Sequence, residues 1–304
     1  MTTVSTSAFY GRTGMALSAL RARAEDLQAA LGRGERLTAG SDDPVAAARL
    51  RTLARAEGLA AIDTTNANRA AADLTLTDTA LSSFSNYVIR AKELATQAAN
   101  GVLTAGQRTG IATELTQLHG ELARLANTRN SAGHALFGGE TSGAAYSFDA
   151  LGNPLYAGTG SAGELPLGDG QSVTRGLTGP EFLNFSTAAG ATNLFAVVKG
   201  LADALGGAVP DPAQAARDAL GPLDTGLESI TTAQTVIGAR LNWIDLTTER
   251  RTQLSEQHAG EQAEIGGTDV AATVSRLQET MTVLEASQAS FAKLASLSLF
   301  DLLR

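Results

Sequence analysis

Apolar residues recur at alternating spacings of three and four along five stretches of this 304-residue chain. That spacing keeps one face of a helix apolar, and it is typical of helices that pack as in a coiled coil. The five series begin at Leu17, Ala70, Ile111, Leu220 and Val270. They predict a mainly α fold, a long antiparallel helical bundle or coiled coil built from both chain ends.

Residues near position 40 predict the start of a long helix. Asp42 and Asp43 can accept hydrogen bonds from free backbone N–H groups, and Pro44 suits the first helical position. Asp42, Asp43 and Pro44 are therefore the predicted helix-start cap, which is a better explanation of the acidic pair than a metal or acid–base site. No proline follows before Asn100, so one helix of about 80 Å is predicted there.

Further breaks are predicted from glycine, proline and capping residues. Thr104 is expected to cap the next helix. Pro210 and Pro212 mark a linker before the fourth series. Gly260 and the pair Gly266-Gly267 are expected to separate the fourth series from the last one.

Residues 131–192 differ in composition from the rest of the chain. They hold 13 of the 32 glycines and only six charged side chains. Short strand-like runs alternate there with turn formers; the runs are 145–148, 155–156, 165–167 and 172–174. The pattern predicts a small β-rich domain inserted between two helical arms, followed by a helix that Thr192 and Asn193 can cap.

These boundaries predict three parts. Residues 1–40 and 266–304 form a terminal coiled-coil assembly domain, residues 41–135 and 191–265 form a helical rod, and residues 136–190 form the β-rich insert.

Charge and composition argue against several functional classes. The net charge is −8, whereas a nucleic-acid binder needs a positive field to replace phosphate counterions. The absence of Cys excludes disulfides, thiolate metal sites and Cys nucleophiles. No apolar run reaches the roughly 20 residues that a membrane span needs, and the start of the sequence carries no visible cleavable signal peptide.

The sequence offers little support for catalysis. Gly158, Gly160 and Gly163 match G-x-G-x-x-G, but a dinucleotide site needs that loop to open a helix, and Pro166 with Gly168 disfavours one. The three histidines, His119, His134 and His258, lack metal-ligand spacing, and His119 and His258 are expected to face solvent. We therefore expect no enzymatic activity, no cofactor and no metal.

The first and last apolar series lie at opposite ends of the chain and predict an assembly seam. Isolated helices of that size are marginal in water, and the leucine-rich C-terminus (Leu294, Leu297, Leu299, Phe300, Leu302 and Leu303) is too apolar for a free tail. The predicted subunit assembly seam comprises Leu17, Leu20, Leu27, Leu31, Val274, Leu277, Met281, Leu284 and Phe291.

Several motifs in this order resemble the flagellar hook–filament junction proteins, the family of hook-associated protein 3 and a relative of flagellin. The matching segments are Val4–Ser7 with Tyr10, residues 38–47, Leu125–Thr128, Gly133 with Leu136–Gly139, Asn193–Phe195, Ser290 with Phe291, and residues 297–303. They cover nearly the whole chain outside residues 140–190. The proline after Asp42-Asp43 resembles the junction proteins more than filament flagellin.

The resemblance implies a structural subunit of the bacterial flagellum, an adaptor layer between hook and filament. It implies export through the flagellar type III pathway without a cleaved signal and an extracellular location. It also implies partners of three kinds: other copies in a homo-oligomeric ring, a hook-associated protein on the hook side, and flagellin or the next hook-associated protein on the filament side. An export chaperone is also expected. The alternatives are a flagellin, with the same architecture in a long filament, an unrelated cytoplasmic coiled-coil scaffold, and an enzyme using the glycine loop.

Overall fold

The computed structural model describes residues 6–37 and 39–301. Five helices form most of the first and last thirds of this part of the chain. The first three are α1 (Thr6–Arg33), α2 (Pro44–Ala99) and α3 (Ala105–Ala126), and the two that follow the central region are α6 (Pro212–Gly266) and α7 (Val270–Asp301). The prediction of a mainly α fold with a small β-rich insertion is confirmed.

The central region consists of three hairpins and two short helices. Its elements are β1 (Tyr146–Phe148), β2 (Pro154–Tyr156), β3 (Glu164–Gly168), β4 (Gln171–Thr174), α4 (Gly179–Leu183), β5 (Asn184–Thr187), β6 (Gly190–Asn193) and α5 (Leu194–Asp203), followed by a π-helical turn at Ala204–Ala208. Each sheet has two antiparallel strands, β1 with β2, β3 with β4 and β5 with β6. The first four strands lie at the predicted runs, and β5 and β6 are two strands that the sequence pattern did not reveal.

Local capping chemistry places the helix ends largely as predicted. The Thr104 hydroxyl accepts a hydrogen bond from the Gln107 N–H, and the Gln107 side chain reaches back to the Thr104 N–H, which completes a capping box at α3. The Asn193 side chain accepts from the Ala196 N–H at the start of α5. The prediction that Gly260 breaks a helix is wrong, because α6 continues through it to Gly266.

The chain divides into two compact units, and α2 and α6 contribute to both. Unit 1 comprises the described residues up to Gly58 and from Leu254 onward, and unit 2 comprises Leu59–Gln253. In unit 2, apolar residues of α2, α3, α5 and α6 form one core with the inner faces of the hairpins. Phe84, Phe137 and Phe182 lie at its centre, with ring centroids 5.0–5.9 Å apart.

Side chains of the helices anchor the hairpins of unit 2. Asn127, just after α3, donates to the Tyr146 carbonyl at 3.0 Å and accepts from the Tyr146 N–H at 2.9 Å. The buried Asp73 of α2 accepts from Asn130 at 3.0 Å and pairs with Arg175 at 3.2 Å. The segment after α3 and the turn after β4 are therefore tied to helices by polar contacts as well as by the apolar core.

The expectation that His119 and His258 face solvent is wrong, since both are half-buried. His119 packs edge-on against Phe148 and Phe195, with centroids 5.9 Å away in each case. Burial lowers the pKa of the His119 imidazole, and the nearby charge of Lys199 lowers it further. His258 lies in unit 1, where its Nδ1 is 3.0 Å from the Glu57 carboxylate.

Candidate assembly surface

In unit 1, α1 and α7 pack against each other in antiparallel orientation. Near the start of α1, Tyr10 meets Phe291 of α7 edge-to-face, with ring centroids 5.5 Å apart. At the other end of the pair, the Thr268 hydroxyl just before α7 donates to the Ala30 carbonyl of α1. The two terminal series therefore pack against each other within one chain.

The predicted seam residues of α1 all lie on its half-buried side. Leu17, Leu20, Leu27 and Leu31 are each half-buried, as is Ala24 between them. Spacings of three and four keep these side chains on one face over nearly four turns. The apolar series of α1 therefore coincides with the face that turns towards other residues of unit 1, while its role in subunit assembly stays a prediction.

The packed face of α7 differs from the predicted apolar series at every second position. Leu277, Leu284 and Phe291 are half-buried as members of the seam. The positions between them are occupied by Thr273 and Thr280, each 8% exposed, and by the half-buried Ser287. The Thr280 hydroxyl donates to the Arg276 carbonyl at 2.7 Å, so its burial leaves no unsatisfied donor.

Three other members of the predicted α7 series lie beside this face and are exposed. Val274 is 36% exposed, Met281 is 49% exposed and Val270 is 59% exposed. We call Val270, Val274 and Met281 the α7 flank. Because side chains four and seven residues apart share a helix face, these three form an apolar strip next to the seam.

Backbone hydrogen bonds join the loop after α1 to the loop before α7. Gly34 ends α1 with a φ of 72°, a conformation that favours glycine. Its carbonyl accepts from the Thr268 N–H at 2.9 Å, and the Arg36 N–H donates to the Gly266 carbonyl at 2.8 Å. This short antiparallel bridge fixes the two loops to each other within unit 1, and nothing in the local sequence pattern indicated it.

The predicted cap residues have different roles at the start of α2. Asp43 accepts from the Ala46 N–H at 3.0 Å, and Pro44 is the first helical residue. This hydrogen bond lowers the pKa of the Asp43 carboxyl, with a smaller contribution from Arg36. Asp42 instead accepts from the Ala39 N–H at 2.8 Å, so it orders the loop before the helix.

In unit 1, the N-terminal part of α2 contacts the C-terminal part of α6 through polar side chains. Arg49 makes a two-pronged ion pair with Glu261, at 2.5 and 2.7 Å. The pair lowers the pKa of the Glu261 carboxyl. The Ser255 hydroxyl donates to Glu57 at 2.9 Å, and Leu53 is buried beside these groups. Partly exposed ion pairs contribute little stability, so here they mainly fix the register of the two helices.

Other candidate sites from the sequence have different surroundings. The glycine loop at 158–163 leads into strand β3, not into the helix that a dinucleotide phosphate site needs. Within residues 6–37 and 39–301, no three metal-ligating side chains cluster. No helix in that part of the chain combines the length and apolarity of a membrane span. Val4–Ser5, Thr38, Leu302 and Leu303 lie outside the described residues.

Comparisons with known proteins match this architecture. Residues 4–142 match the family model of the bacterial flagellin N-terminal helical region. The chain is 26% identical to flagellar hook-associated protein 3 of Escherichia coli (strain K12) over 289 residues, which is 90% of each protein.

Solved structures share the fold. A flagellar hook-associated protein from Vibrio parahaemolyticus superposes with a TM-score of 0.68 at 24% identity, over 74% of this chain and 100% of that one. The flagellar junction protein of Legionella pneumophila gives a TM-score of 0.60 at 17% identity, over 72% and 100%.

These findings define the class of protein that the chain resembles: its N-terminal helical region is similar to that of bacterial flagellin, and nearly the whole chain is similar to a flagellar hook-associated protein. Its particular resemblance is to flagellar hook-associated protein 3, as the sequence motifs predicted, and that prediction is confirmed.

Proposed function

We propose that this protein forms the adaptor layer between hook and filament, assembling as a homo-oligomeric ring after export without a cleaved signal peptide. The observation that carries the proposal is the match to flagellar hook-associated protein 3 along 90% of both chains. A match of that extent supports a subunit of the same overall organisation. An adaptor needs both ends of the chain, since its terminal helices supply contacts to neighbours above and below.

The predicted three-part organisation is part of this proposal. Residues 1–40 and 266–304, which carry the α1–α7 pair, form the assembly domain. Residues 41–135 and 191–265 form the helical rod, and the β-rich insert of residues 136–190 faces outward. Three two-stranded sheets with short exposed turns are the kind of surface segment that tolerates variation. No catalytic role, cofactor or metal enters this function.

The two faces of α7 suggest how the ring forms. The seam through Leu277, Leu284 and Phe291 is used within the chain, whereas the α7 flank remains exposed. In the ring, the α7 flank packs on a neighbouring copy. The predicted seam residues then serve two kinds of contact: Leu277, Leu284 and Phe291 pack within the chain, whereas Val274 and Met281 pack between chains. Burial of apolar surface at about 25 cal/mol per Å² drives this association.

A filament flagellin is the second candidate, and one observation favours it. The matched family model is the flagellin N-terminal helical region, and it covers residues 4–142. A flagellin would use the same α1–α7 pair and the same flank, but it would polymerise over the whole filament. The two candidates therefore differ in copy number and in what their loss does.

Deletion of the gene tests the two candidates against each other. Electron microscopy of the deletion strain, with a flagellin blot of its culture supernatant, is the direct experiment. For an adaptor we expect bare hooks and abundant unpolymerised flagellin in the medium, with filaments restored by the full chain. Filaments of normal length would contradict the adaptor role. Hooks without filaments and without flagellin in the medium would indicate a flagellin.

A further inference from the structure

We propose that an arginine-lined cavity in unit 1 receives a carboxylate-bearing segment of a second copy of this chain. The cavity has a volume of about 600 Å³ and lies between α1, the loop before α2 and the first two turns of α7. Four guanidinium groups line it, those of Arg23, Arg33, Arg36 and Arg276. The inference rests on the proposed function, because it names one contact of the assembled ring.

The four arginines that line this cavity differ in whether they already have an acidic partner within the chain. Arg36 is engaged, since it donates to the Ile265 carbonyl at 3.0 Å and lies 3.5 Å from Asp43. Arg23, Arg33 and Arg276 have no ion pair with any described residue. Three guanidinium groups around one space repel one another, and an entering anion relieves that repulsion.

The acidic side chains on the cavity wall offset only part of this charge. Asp42 accepts from the Ala39 N–H and Asp269 accepts from the Ala272 N–H, so both carboxylates already serve backbone donors. Asp26 is the remaining carboxylate on the wall. The lining holds four arginines and three aspartates, so it keeps one net positive charge, which favours an anionic occupant.

The size and the other lining residues indicate a peptide side-chain cluster as the occupant. A single inorganic anion would fill a small part of 600 Å³, whereas Leu27, Ala30 and Ala272 add apolar wall that carbon stems can contact. A planar guanidinium also matches a carboxylate in a two-pronged pair.

A second copy of this chain is the acidic partner that the molecule itself offers. The chain carries 31 acidic against 23 basic residues. The bridge between Gly34 and Thr268 holds the cavity's two loops in place, so the cavity exists before the partner arrives. A preformed site lowers the ordering cost of association.

Site-specific photo-crosslinking in flagellated cells tests this inference. A benzophenone amino acid replaces Ala30 in one full-length variant and Ala272 in another, and the adducts are identified by mass spectrometry. We expect an adduct of two copies of this chain whose second peptide contains Asp or Glu. Arg23→Glu combined with Arg276→Glu should lower its yield at least about tenfold, the change that 1.4 kcal/mol produces. Arg276→Lys should keep much of it.

Arg51→Glu is the matched control, because Arg51 is an exposed arginine of unit 1 outside the cavity. Its crosslink yield should equal that of the unsubstituted chain. If assembled flagella contain the chain but yield no adduct between copies, or an adduct with a different protein, the inference is wrong and the adaptor function is unaffected. If the chain is absent from purified flagella, the proposed function fails instead.

Discussion

Tyr10 and Phe291 lie near opposite ends of the sequence and meet edge-to-face, with ring centroids 5.5 Å apart and ring planes at 87°. Such aromatic pairs add about 0.5–1.5 kcal/mol beyond their buried area. The contact closes one end of the α1–α7 pair, and the bridge between Gly34 and Thr268 closes the other. A helix pair held at both ends can present the α7 flank to a neighbour without first having to order itself.

Two substitutions on α7 should separate contacts within the chain from contacts between chains. Leu284→Asp places a charge in the packed seam, so it should open the α1–α7 pair and abolish incorporation into flagella. Met281→Asp places the same charge on the exposed flank, so it should also block incorporation while the pair stays closed. Limited proteolysis of unit 1 and immunoblots of purified flagella measure the two effects.

Glu279→Asp is the control for substitution on α7 as such, because Glu279 is already exposed and negatively charged. Unit 2 should remain folded in all three proteins, as circular dichroism melting will report. Normal incorporation of Met281→Asp would contradict a neighbour packed on the α7 flank, even if Leu284→Asp fails to assemble.

Features that depend on residues close in sequence could be predicted. Features that depend on where another helix packs could not. Thr104, Asp43 and Asn193 each cap a helix by bonding to a residue three positions away, so their roles follow from local sequence. On α7, Val274 and Met281 continue the apolar spacing better than Thr273 and Thr280 do. The position of α1 nevertheless buries the threonines, and a polar residue in a seam gives no apolar signal.

Nonlocal backbone pairing gave no sequence signal either. The bridge that joins Arg36 to Gly266 depends on the meeting of two loops that are far apart in the chain. The sequence pattern did not indicate the β5–β6 hairpin, because residues 184–193, apart from Phe185, are small or polar and carry no clear alternation.

The ion pair between the buried Asp73 and the half-buried Arg175 should contribute to the stability of unit 2. The Asp73 side chain is 9% exposed and also accepts from Asn130. Asp73→Ala leaves the Arg175 charge and the Asn130 amide without this partner, so it should lower the free energy of unfolding by about 2 kcal/mol. Urea unfolding followed by circular dichroism measures the change.

Asp78→Ala provides the comparison for that loss, because Asp78 lies one turn further along α2 without an ion pair among the described residues. It should change the free energy of unfolding by less than about 0.5 kcal/mol. Equal losses in the two variants would mean that the ion pair and hydrogen bonds of Asp73 do not stabilise the hairpins.

Two glycines of the segment after α3 should respond differently to alanine. Gly133 has a φ of 82° with open space around it, so Gly133→Ala should cost only the backbone strain, about 1 kcal/mol. Gly139 has a φ of 69°, and an added Cβ would meet the Thr159 hydroxyl and lie 2.6 Å from the Ser161 carbonyl. Gly139→Ala should therefore cost at least about 3 kcal/mol in the same unfolding measurement. Losses of similar size would argue against close packing at Gly139.

The burial of His119 should make unit 2 less stable in mild acid. The folded state lowers the pKa of this imidazole, chiefly through burial between Phe148 and Phe195, whereas the unfolded chain titrates near about 6.5. The unfolded state therefore binds more protons below that pH, and stability falls as the pH drops from about 6.5 towards the folded pKa. Urea midpoints measured from pH 7.5 to pH 5 should decline, and His119→Phe should flatten the decline. His134→Asn, at an exposed histidine, should leave it unchanged; an equally steep decline in His119→Phe would assign the effect to other groups.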